Sequence, residues 1–271
     1  MISDITIGQY FPGHSFIHRL DPRIKILLTI LYIVLLFVAQ NIFGFVLAIG
    51  LLLIVYPIAK IPFRMILRSL KPVLPLILFT SVLNIFFVKG TTLWAWGFLS
   101  ISLEGIQLAV FMSIRILALI AGSSLLTYTT SPITLTDAIE RLLSPLKRLR
   151  FPVHELAMMM TIALRFIPTL LEETQKIMSA QKARGADMES GGLFQRAKAL
   201  IPILIPLLIS AIRRADELAL AMECRCYHGD EGRTRMRQLR LGGRDLVASG
   251  VMLACLAAII LMNLFLPSVL F

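Results

Sequence analysis

The fold is decided by residues 26–59, which read ILLTILYIVLLFVAQNIFGFVLAIGLLLIVYPIA and contain no charged side chain. A helix that crosses a lipid bilayer needs roughly 20 mainly apolar residues. The stretch is therefore almost long enough for two such helices, joined by a tight exposed turn at Gln40-Asn41. The first helix would begin near Pro22, because Asp21 is a favourable N-cap and proline is tolerated in the first turn.

Three further apolar segments continue this pattern along the chain, namely Pro72 to Val88, about Leu103 to Thr129, and Leu246 to Leu266. Of the 271 residues, 57% are hydrophobic and 16% are charged, whereas a soluble domain carries about 25% charged residues. These proportions argue against a soluble enzyme. They predict an all-α membrane protein with about five transmembrane helices plus long amphipathic cytoplasmic helices.

The basic residues predict how the chain is oriented in the bilayer, because cytoplasmic loops are enriched in lysine and arginine. Of the 27 basic residues, only Lys89 falls in a predicted outer loop and only Arg115 lies deep within a span. We therefore expect a multi-pass protein of the bacterial plasma membrane, with the N-terminus cytoplasmic and the C-terminus extracytoplasmic. The formal net charge of +11 follows from this topology. Nucleic-acid binding is not favoured, because no stripe of stacking aromatic residues accompanies the basic clusters.

The predicted organisation has a membrane domain with four helices at residues 1–130, a cytoplasmic region at 131–245 and a final transmembrane helix at 246–271. The cytoplasmic region contains a long amphipathic helix from about Pro152 to Arg184, which Gly185 ends. Its apolar positions recur at intervals of three and four, as expected for one helical face. These positions are Val153, Leu156, Met160, Ala163, Ile167, Leu170, Thr174 and Ile177.

A second amphipathic helix is predicted from about Leu193 to Tyr227. Its apolar positions are Leu204, Leu208, Ala211, Ala215, Leu218, Met222 and Cys226. Contiguous apolar faces of this extent mark binding surfaces. We expect the two faces to pack on each other or on a membrane partner, with Leu204, Leu208, Leu218 and Met222 as the packing residues of the second helix.

The two amphipathic helices end alike, since each closes with an arginine between small residues. The first ends at Ala183-Arg184-Gly185 and the second at Cys224-Arg225-Cys226. One interpretation is that each arginine compensates the negative end of its helix dipole. The other is that the arginines are a pair of docking points for a two-fold or pseudo-two-fold partner, since a guanidinium pairs bidentately with carboxylate.

Four short stretches resemble a known family. They are GQYFPGHS at residues 8–15, HRLDPR at 18–23, LRFIPTL at 164–170 and AQKARG at 180–185. Together they are similar to the signatures of the transmembrane T component of energy-coupling factor transporters, and the resemblance extends over nearly the whole chain.

This resemblance implies a scaffold with two long cytoplasmic coupling helices. Each coupling helix would dock through an Ala-Arg-Gly-like motif into one of two ABC-type ATPase subunits. A substrate-binding S component, which captures vitamins or metal ions, would bind another face. The docking motifs would be Ala183, Arg184 and Gly185 in the first helix and Cys224, Arg225 and Cys226 in the second. The second motif departs from the family pattern, because cysteine stands where alanine and glycine are expected.

No residue pattern indicates that the chain itself performs catalysis. It lacks the phosphate-binding motif G-x-x-x-x-G-K-[ST], so ATP would be bound by partner subunits. Cys224, Cys226 and His228 are spaced too closely for a zinc site, and no cofactor is expected. We interpret Glu172 and Glu173 as solvated helix residues rather than a catalytic pair, because Lys176 lies four positions after Glu172.

Two other classes of function are weighed. A self-contained secondary transporter needs ion sites near the middle of the bilayer, where only Arg115 carries a charge. That arginine either binds backbone carbonyls or nearby serines, or it faces a partner. An intramembrane enzyme needs histidine and carboxylate pairs within the spans, and the spans contain none. In the family that the chain resembles, the S component determines the substrate, which this sequence does not name.

Overall fold

The computed structural model describes residues 10–88, 91–96, 99–149, 151–186, 192–229, 239 and 241–265. The described part of the chain is almost entirely helical, which confirms the all-α class. The α-helices are α1 (Pro22–Val38), α2 (Ile42–Ala59), α3 (Phe63–Leu70), α4 (Leu74–Phe87), α5 (Leu103–Thr129), α6 (Pro132–Leu142), α7 (Val153–Ala183), α8 (Leu193–Glu223) and α9 (Gly243–Phe265). Two 3₁₀ turns lie at Lys71–Val73 and Ser144–Leu149.

The chain divides into two compact units. One, the membrane unit, is built from Gly8–Leu135 and Leu239–Phe271, and the other, the hairpin unit, is Thr136–Gln238. The membrane unit contains α1 to α5 and α9, and its core is centred on α1. Tyr32, Leu35 and Leu36 of α1 are buried there.

Helix α1 begins as the sequence predicts. The Asp21 side chain accepts a hydrogen bond from the Arg23 amide at 2.9 Å, and Pro22 occupies the first turn. The turn after α1 lies at the predicted Gln40-Asn41, but the prediction that it is exposed is wrong for Asn41, which is 2% exposed. Its Nδ2 donates to the Met262 carbonyl at 3.1 Å. This burial comes from α9, far away in the sequence.

The third apolar segment begins earlier than predicted. The chain is helical from Phe63 through α3, and the 3₁₀ turn Lys71–Val73 then leads into α4. Pro72 lies in this turn and starts no new element. Between α4 and α5, a short antiparallel hairpin pairs β1 (Thr92–Trp96) with β2 (Leu99–Ser102), with Trp96 opposite Leu99. From the sequence, this region is expected to be only an outer loop that contains Lys89.

Long-range hydrogen bonds define two opposite ends of the membrane unit. At the first, which we call the Asp21 end, the Tyr128 hydroxyl of α5 donates to the Met65 carbonyl at 2.9 Å. At the other, the Asn41 end, Asn263 Nδ2 of α9 donates to the Val38 carbonyl. Five helical segments therefore run between the two ends: α1, α2, α3 with α4, α5, and α9. Since α5 ends and α9 begins at the Asp21 end, both connections to the hairpin unit leave from there.

Within the described part of the chain, five helices are long and apolar enough to cross a membrane, as predicted in number. They are Ile42–Ala59, Phe63–Phe87, Leu103–Thr129, Val153–Ala183 and Gly243–Phe265. This set contains α7 and omits α1, which has 17 residues and is about 26 Å long at about 1.5 Å per residue. Helix α1 nevertheless lies in the core of the membrane unit, whereas α7 belongs to the hairpin unit.

Arg115 of α5 binds within the membrane unit, at the Asn41 end. Its guanidinium donates to the Ala39 carbonyl at 3.3 Å. Its Cζ also lies 6.0 Å from the ring centroid of Phe37 and 5.8 Å from that of Phe45. Ala39 caps the C-terminus of α1, where carbonyl groups lack partners within the helix. Of the interpretations left open by the sequence, binding to a carbonyl is the one that the structure shows.

Candidate functional site

In the hairpin unit, α7 and α8 are antiparallel over their whole length. Near the end of α7, Gln181 Nε2 donates to the Pro202 carbonyl at 3.4 Å. Near its beginning, the Tyr227 hydroxyl lies 3.0 Å from Met158 Sδ. The two contacts run in opposite directions along the chain, since the later residue of α7 faces the earlier residue of the second segment. The two helices therefore form a helical hairpin. The C-terminus of each helix thus lies beside the N-terminal part of the other.

A polar contact joins α7 and α8 near the middle of this hairpin. Glu173 of α7 accepts a hydrogen bond from Ser210 Oγ at 2.9 Å and forms an ion pair with Arg214 of α8. Both charged side chains are partly buried, with 26% of Glu173 and 35% of Arg214 exposed. The two helices therefore share one hydrogen-bonded charge pair between their apolar faces.

The sequence interpretation missed this pair, because it treated Glu173 as a solvated residue. A signal was present in the pattern of α8. Arg214 lies three residues after Ala211 and four before Leu218, which is the spacing of the apolar face itself. A charge on an apolar face predicts a partner on the facing helix, since an unpaired charge there is costly.

Helix α7 ends in a Schellman motif centred on the predicted docking residues. The Gly185 amide donates to the Lys182 carbonyl at 3.0 Å, and the Ala186 amide donates to the Gln181 carbonyl at 3.0 Å. Gly185 has φ +85°, the left-handed conformation that this motif requires and that glycine adopts without strain. Arg184 is the C-cap residue and is exposed.

Helix α8 ends in the same way. The Cys226 amide donates to the Glu223 carbonyl at 2.8 Å, and the Tyr227 amide donates to the Met222 carbonyl at 3.1 Å. Cys226 has φ 54°, so it takes the left-handed position that Gly185 takes in the first motif. Arg225 stands one residue before it and is exposed. The regular helix stops at Glu223, earlier than the predicted Tyr227.

The six predicted docking residues thus form two helix ends with the same local structure, three residues at each end. All of Ala183, Arg184, Gly185, Cys224, Arg225 and Cys226 are exposed. Because Tyr227 lies beside Met158, the distance from Met158 to Arg184 along α7 measures how far apart the two ends are. At about 1.5 Å per residue this distance is about 39 Å. Two exposed arginines therefore project from opposite ends of one hairpin.

The predicted packing residues of α8 fall into two groups. Leu218 and Met222 are half-buried, while Leu204 and Leu208 are 57% and 62% exposed. The neighbouring Ile203 is buried instead, at 4% exposed. In this part of α8 the buried side therefore contains Ile203 and not the predicted Leu204 and Leu208. An exposed apolar surface remains on α8, consisting of Leu200, Ile201, Leu204, Ile205, Leu208, Ile209 and Ile212.

A second polar contact between side chains lies at the beginning of the hairpin unit. His154 Nδ1 of α7 is 2.9 Å from Glu140 Oε1 of α6, and the two side chains are 16% and 8% exposed. The two residues are 14 positions apart and belong to consecutive α-helices. The pair fixes the start of α7 against α6.

Comparison with known proteins shows the family of the chain. A family model described as "CbiQ: Cobalt transport protein" matches residues 13–236. The energy-coupling factor transporter transmembrane protein EcfT of Ruminiclostridium cellulolyticum is 56% identical over 263 residues, which covers 97% of this chain and 98% of the relative. The protein of the same name from Bacillus subtilis is 46% identical over 260 residues, covering 94% and 98%.

These matches include both long helices, and the family model begins just before the HRLDPR stretch at residues 18–23. They confirm the resemblance drawn from the sequence, and they agree with a membrane component of a transporter. The chain therefore belongs to the cobalt transport protein family, as a member of its energy-coupling factor transporter transmembrane proteins.

Proposed function

We propose that this chain is the scaffold subunit of an energy-coupling factor importer in the bacterial plasma membrane. In this role it links two ABC-type ATPase subunits to a substrate-binding S component and supports uptake of a vitamin or another micronutrient. The chain is a non-catalytic subunit, and its partners bind and hydrolyse ATP. One observation carries the proposal: two exposed arginines occupy equivalent positions in two Schellman-capped helix ends.

The geometry of these ends suits docking into two similar subunits. In each motif the arginine is followed by a residue in the left-handed conformation, so the chain turns sharply and leaves the guanidinium projecting from the helix end. The flanking residues are small, which lets another surface approach closely. The two ends have the same local structure and lie about 39 Å apart along α7. Two related partner subunits could therefore each bind one of them.

The contact of Glu173 with Arg214 and Ser210 suits transmission of movement. An ATPase that pulls on one end of the hairpin acts on both helices, because the pair between α7 and α8 joins them at the middle. The exposed apolar surface of α8, which includes Leu204 and Leu208, is the surface that we assign to the S component. Large exposed apolar patches are typical of such interfaces.

Charge reversal of the two arginines tests the docking claim. Truncating one member of a buried interfacial charge pair costs about 2–5 kcal/mol, and reversal costs more because like charges then meet. Arg184→Glu and Arg225→Glu should each weaken ATPase binding, and the double variant should abolish it. The measurement is the amount of ATPase that co-purifies with tagged chain from membranes, together with uptake from a panel of tritiated riboflavin, thiamine and biotin and radioactive cobalt.

Arg213→Glu is the matched control, because Arg213 is an exposed arginine in the middle of α8. It should leave ATPase binding intact. Compensation of the helix dipole predicts a different result, namely a loss of about 1 kcal/mol in local helix stability with the ATPases still bound. ATPase retained by the double variant would refute the docking claim.

The S-component surface is tested with Leu208→Asp. The aspartate should reduce co-purification of the S component and uptake, while the ATPases stay bound. Leu220→Asp provides a comparison, since Leu220 is 65% exposed but lies about 120° around the helix from Leu208, at about 100° per residue. Equal losses with both variants, or normal uptake with Leu208→Asp, would count against this surface.

The proposed orientation is tested with reporter fusions. The segment 131–245 carries most of the basic residues, and both of its connections leave from the Asp21 end of the membrane unit. We place this end at the cytoplasm. A reporter fused after Phe271 should behave as extracytoplasmic, and one inserted at Gly191 as cytoplasmic. A C-terminal reporter found inside the cell would remove the five-span topology.

A further inference from the structure

A buried cluster of four charged residues lies at the Asp21 end of the membrane unit. It consists of Asp21, Arg23 and Lys25 at the start of α1 and Asp245 at the start of α9. Asp21, Lys25 and Asp245 are each no more than 6% exposed. The two carboxylates balance the two cations, and both carboxylates attract the Lys25 ammonium. We call this cluster the connection clamp, because its contacts fall on both chain segments that lead to the hairpin unit.

Lys25 holds the outgoing connection. Its Nζ donates to the Thr129 carbonyl at 2.9 Å and to Thr130 Oγ1 at 3.4 Å, and it also donates to the His18 carbonyl at 3.2 Å. Thr129 is the last residue of α5, and Thr130 opens the short link to α6, which leads into the hairpin unit. An ammonium carries three N–H groups, and these three acceptors account for them.

Asp245 and Arg23 hold the returning connection. Asp245 Oδ1 accepts from the Asp21 amide at 2.8 Å, and Oδ2 accepts from the Gly242 amide at 2.8 Å. Arg23 forms an ion pair with Asp21 at 2.9 Å and donates to the Leu239 carbonyl at 3.3 Å. Leu239 and Gly242 precede α9, so the chain is bound to the start of α1 just as it returns from the hairpin unit.

We infer that the connection clamp is the joint through which movement of the hairpin unit reaches the membrane helices, with Lys25 and Asp245 as its positioning residues. This inference rests on the proposed function. Both connections are bound to the first turn of α1 by buried, charge-assisted hydrogen bonds, which are strong and costly to break. Helix α1 in turn lies in the core with α2, α5 and α9. A displacement of Thr129 and Thr130, or of Leu239 and Gly242, is therefore passed to α1.

A purely structural role predicts a different behaviour of variants. If the connection clamp only stabilises the fold, weakening it lowers the amount of assembled transporter, while each assembled complex still transports normally. A coupling joint would, when weakened, leave complexes that bind both ATPases and hydrolyse ATP but move less substrate for each ATP. The ratio of uptake to ATP hydrolysis in assembled complexes separates the two roles.

The experiment measures this ratio in complexes reconstituted into lipid vesicles, with the compound that the wild-type complex takes up from the panel above. Lys25→Met removes the donor to the outgoing connection, Asp245→Asn weakens the returning one, and Thr130→Val removes a single acceptor with little change in volume. Uptake per ATP should fall roughly tenfold in the first two variants, as expected for loss of a hydrogen bond to a charged group. It should fall less in Thr130→Val.

Thr29→Val is the matched control, because Thr29 Oγ1 donates to the Lys25 backbone carbonyl within α1 and makes none of the clamp's hydrogen bonds described above. Its ratio should equal that of the wild type. An unchanged ratio in assembled Lys25→Met, Asp245→Asn and Thr130→Val complexes would overturn the inference, as would loss of assembly in all three. Failure of the proposed docking is seen separately, as ATPase that stays bound to the Arg184 and Arg225 double variant.

Discussion

Gly185 and Cys226 occupy the same position in two different helix ends. Each follows an exposed arginine, each has a positive φ, at 85° and 54°, and each amide donates to the carbonyl three residues earlier. Gly185 adopts the left-handed conformation without strain, whereas Cys226 adopts it at a conformational cost because it has a Cβ. The second motif therefore departs from the Ala-Arg-Gly pattern in composition but keeps its backbone geometry.

The two helix ends should respond oppositely to substitution at this position. Gly185→Ala introduces a Cβ into the left-handed conformation and should weaken the end of α7 by about 1 kcal/mol. Among the described residues, no atom lies within 4 Å of that Cβ, so the cost that we expect is conformational. Cys226→Gly should strengthen the end of α8 by less, since glycine also gains entropy in the unfolded chain.

Amide hydrogen exchange of the detergent-solubilised chain measures both effects. The reporters are the Ala186 and Tyr227 amides, each of which donates to the carbonyl five residues earlier. Exchange at Ala186 should become faster in Gly185→Ala, and exchange at Tyr227 slower in Cys226→Gly. Unchanged exchange at Ala186 would show that the Schellman motif does not limit opening of that helix end.

Charge exchange should show that Glu173 and Arg214 act as a pair. Glu173→Arg and Arg214→Glu should each reduce uptake, because like charges then face each other between α7 and α8. The double variant should recover much of the loss, since the pair is restored with its signs exchanged. Uptake by vesicles containing each complex is the measurement. Glu172→Arg, at the exposed neighbouring position, is the control; a loss as large as that of Glu173→Arg would argue against a specific pair.

Gly122 of α5 should tolerate no side chain. A Cβ there would lie 2.4 Å from Cε1 of Tyr32, which is buried on α1. Gly122→Ala should destabilise the membrane unit by about 1–3 kcal/mol through overpacking. Gly50→Ala is the control, because nothing lies within 4 Å of its Cβ. Thermal unfolding in detergent should show a lower midpoint for Gly122→Ala alone, and equal midpoints for both variants would contradict the close approach of α1 and α5.

The N-terminal segment should loosen as the pH falls below neutral. His18 Nε2 donates to the Phe11 carbonyl at 3.0 Å, and His18 Nδ1 hydrogen-bonds Ser15 Oγ at 2.7 Å. Burial lowers the pKa of His18 below its ordinary value of 6.5. A lowered pKa means that the unfolded segment binds the proton more tightly than the folded one. The stabilisation is therefore complete above pH 6.5 and is lost as the pH falls toward the folded-state pKa.

Hydrogen exchange at the Phe11 amide measures this effect, because that amide donates to the Tyr128 carbonyl at 3.0 Å. After correction for the intrinsic rate, its protection should decrease between pH 7 and pH 5. In His18→Gln the protection should no longer depend on pH in this range. The same pH dependence in His18→Gln would exclude His18 as the titrating group.

Local features of this fold could be read from the sequence, because they depend on neighbouring residues. The Asp21 cap, the bounds of α5 and the stop of α7 at Arg184 and Gly185 all follow from capping preferences and from runs of apolar residues. The end of α8 was placed too late, because a left-handed cysteine gives no signal comparable to that of glycine.

Features that depend on distant residues could not be read in the same way. The burial of Asn41 depends on α9, and the partner of Glu173 depends on which faces of α7 and α8 meet. The periodicity of α8 indicates an apolar face, but Leu204 and Leu208 lie on its exposed part. Its apolar residues extend well beyond the width that one neighbouring helix covers, so the pattern alone does not select the covered side.

The pairing of α1 with α9 has a consequence for how the protein is made. Asp21 bonds Asp245, Asn41 bonds Met262 and Asn263 bonds Val38, in pairs separated by 221 to 225 residues. At about 5–20 residues per second, the ribosome needs roughly 10–45 s to reach the last of these partners after α1 has emerged. Until then the surface of α1 that will contact α9 faces lipid or a chaperone. Chains truncated before α9 should therefore be degraded rapidly, even though both helix ends that we propose as docking motifs have already been synthesised.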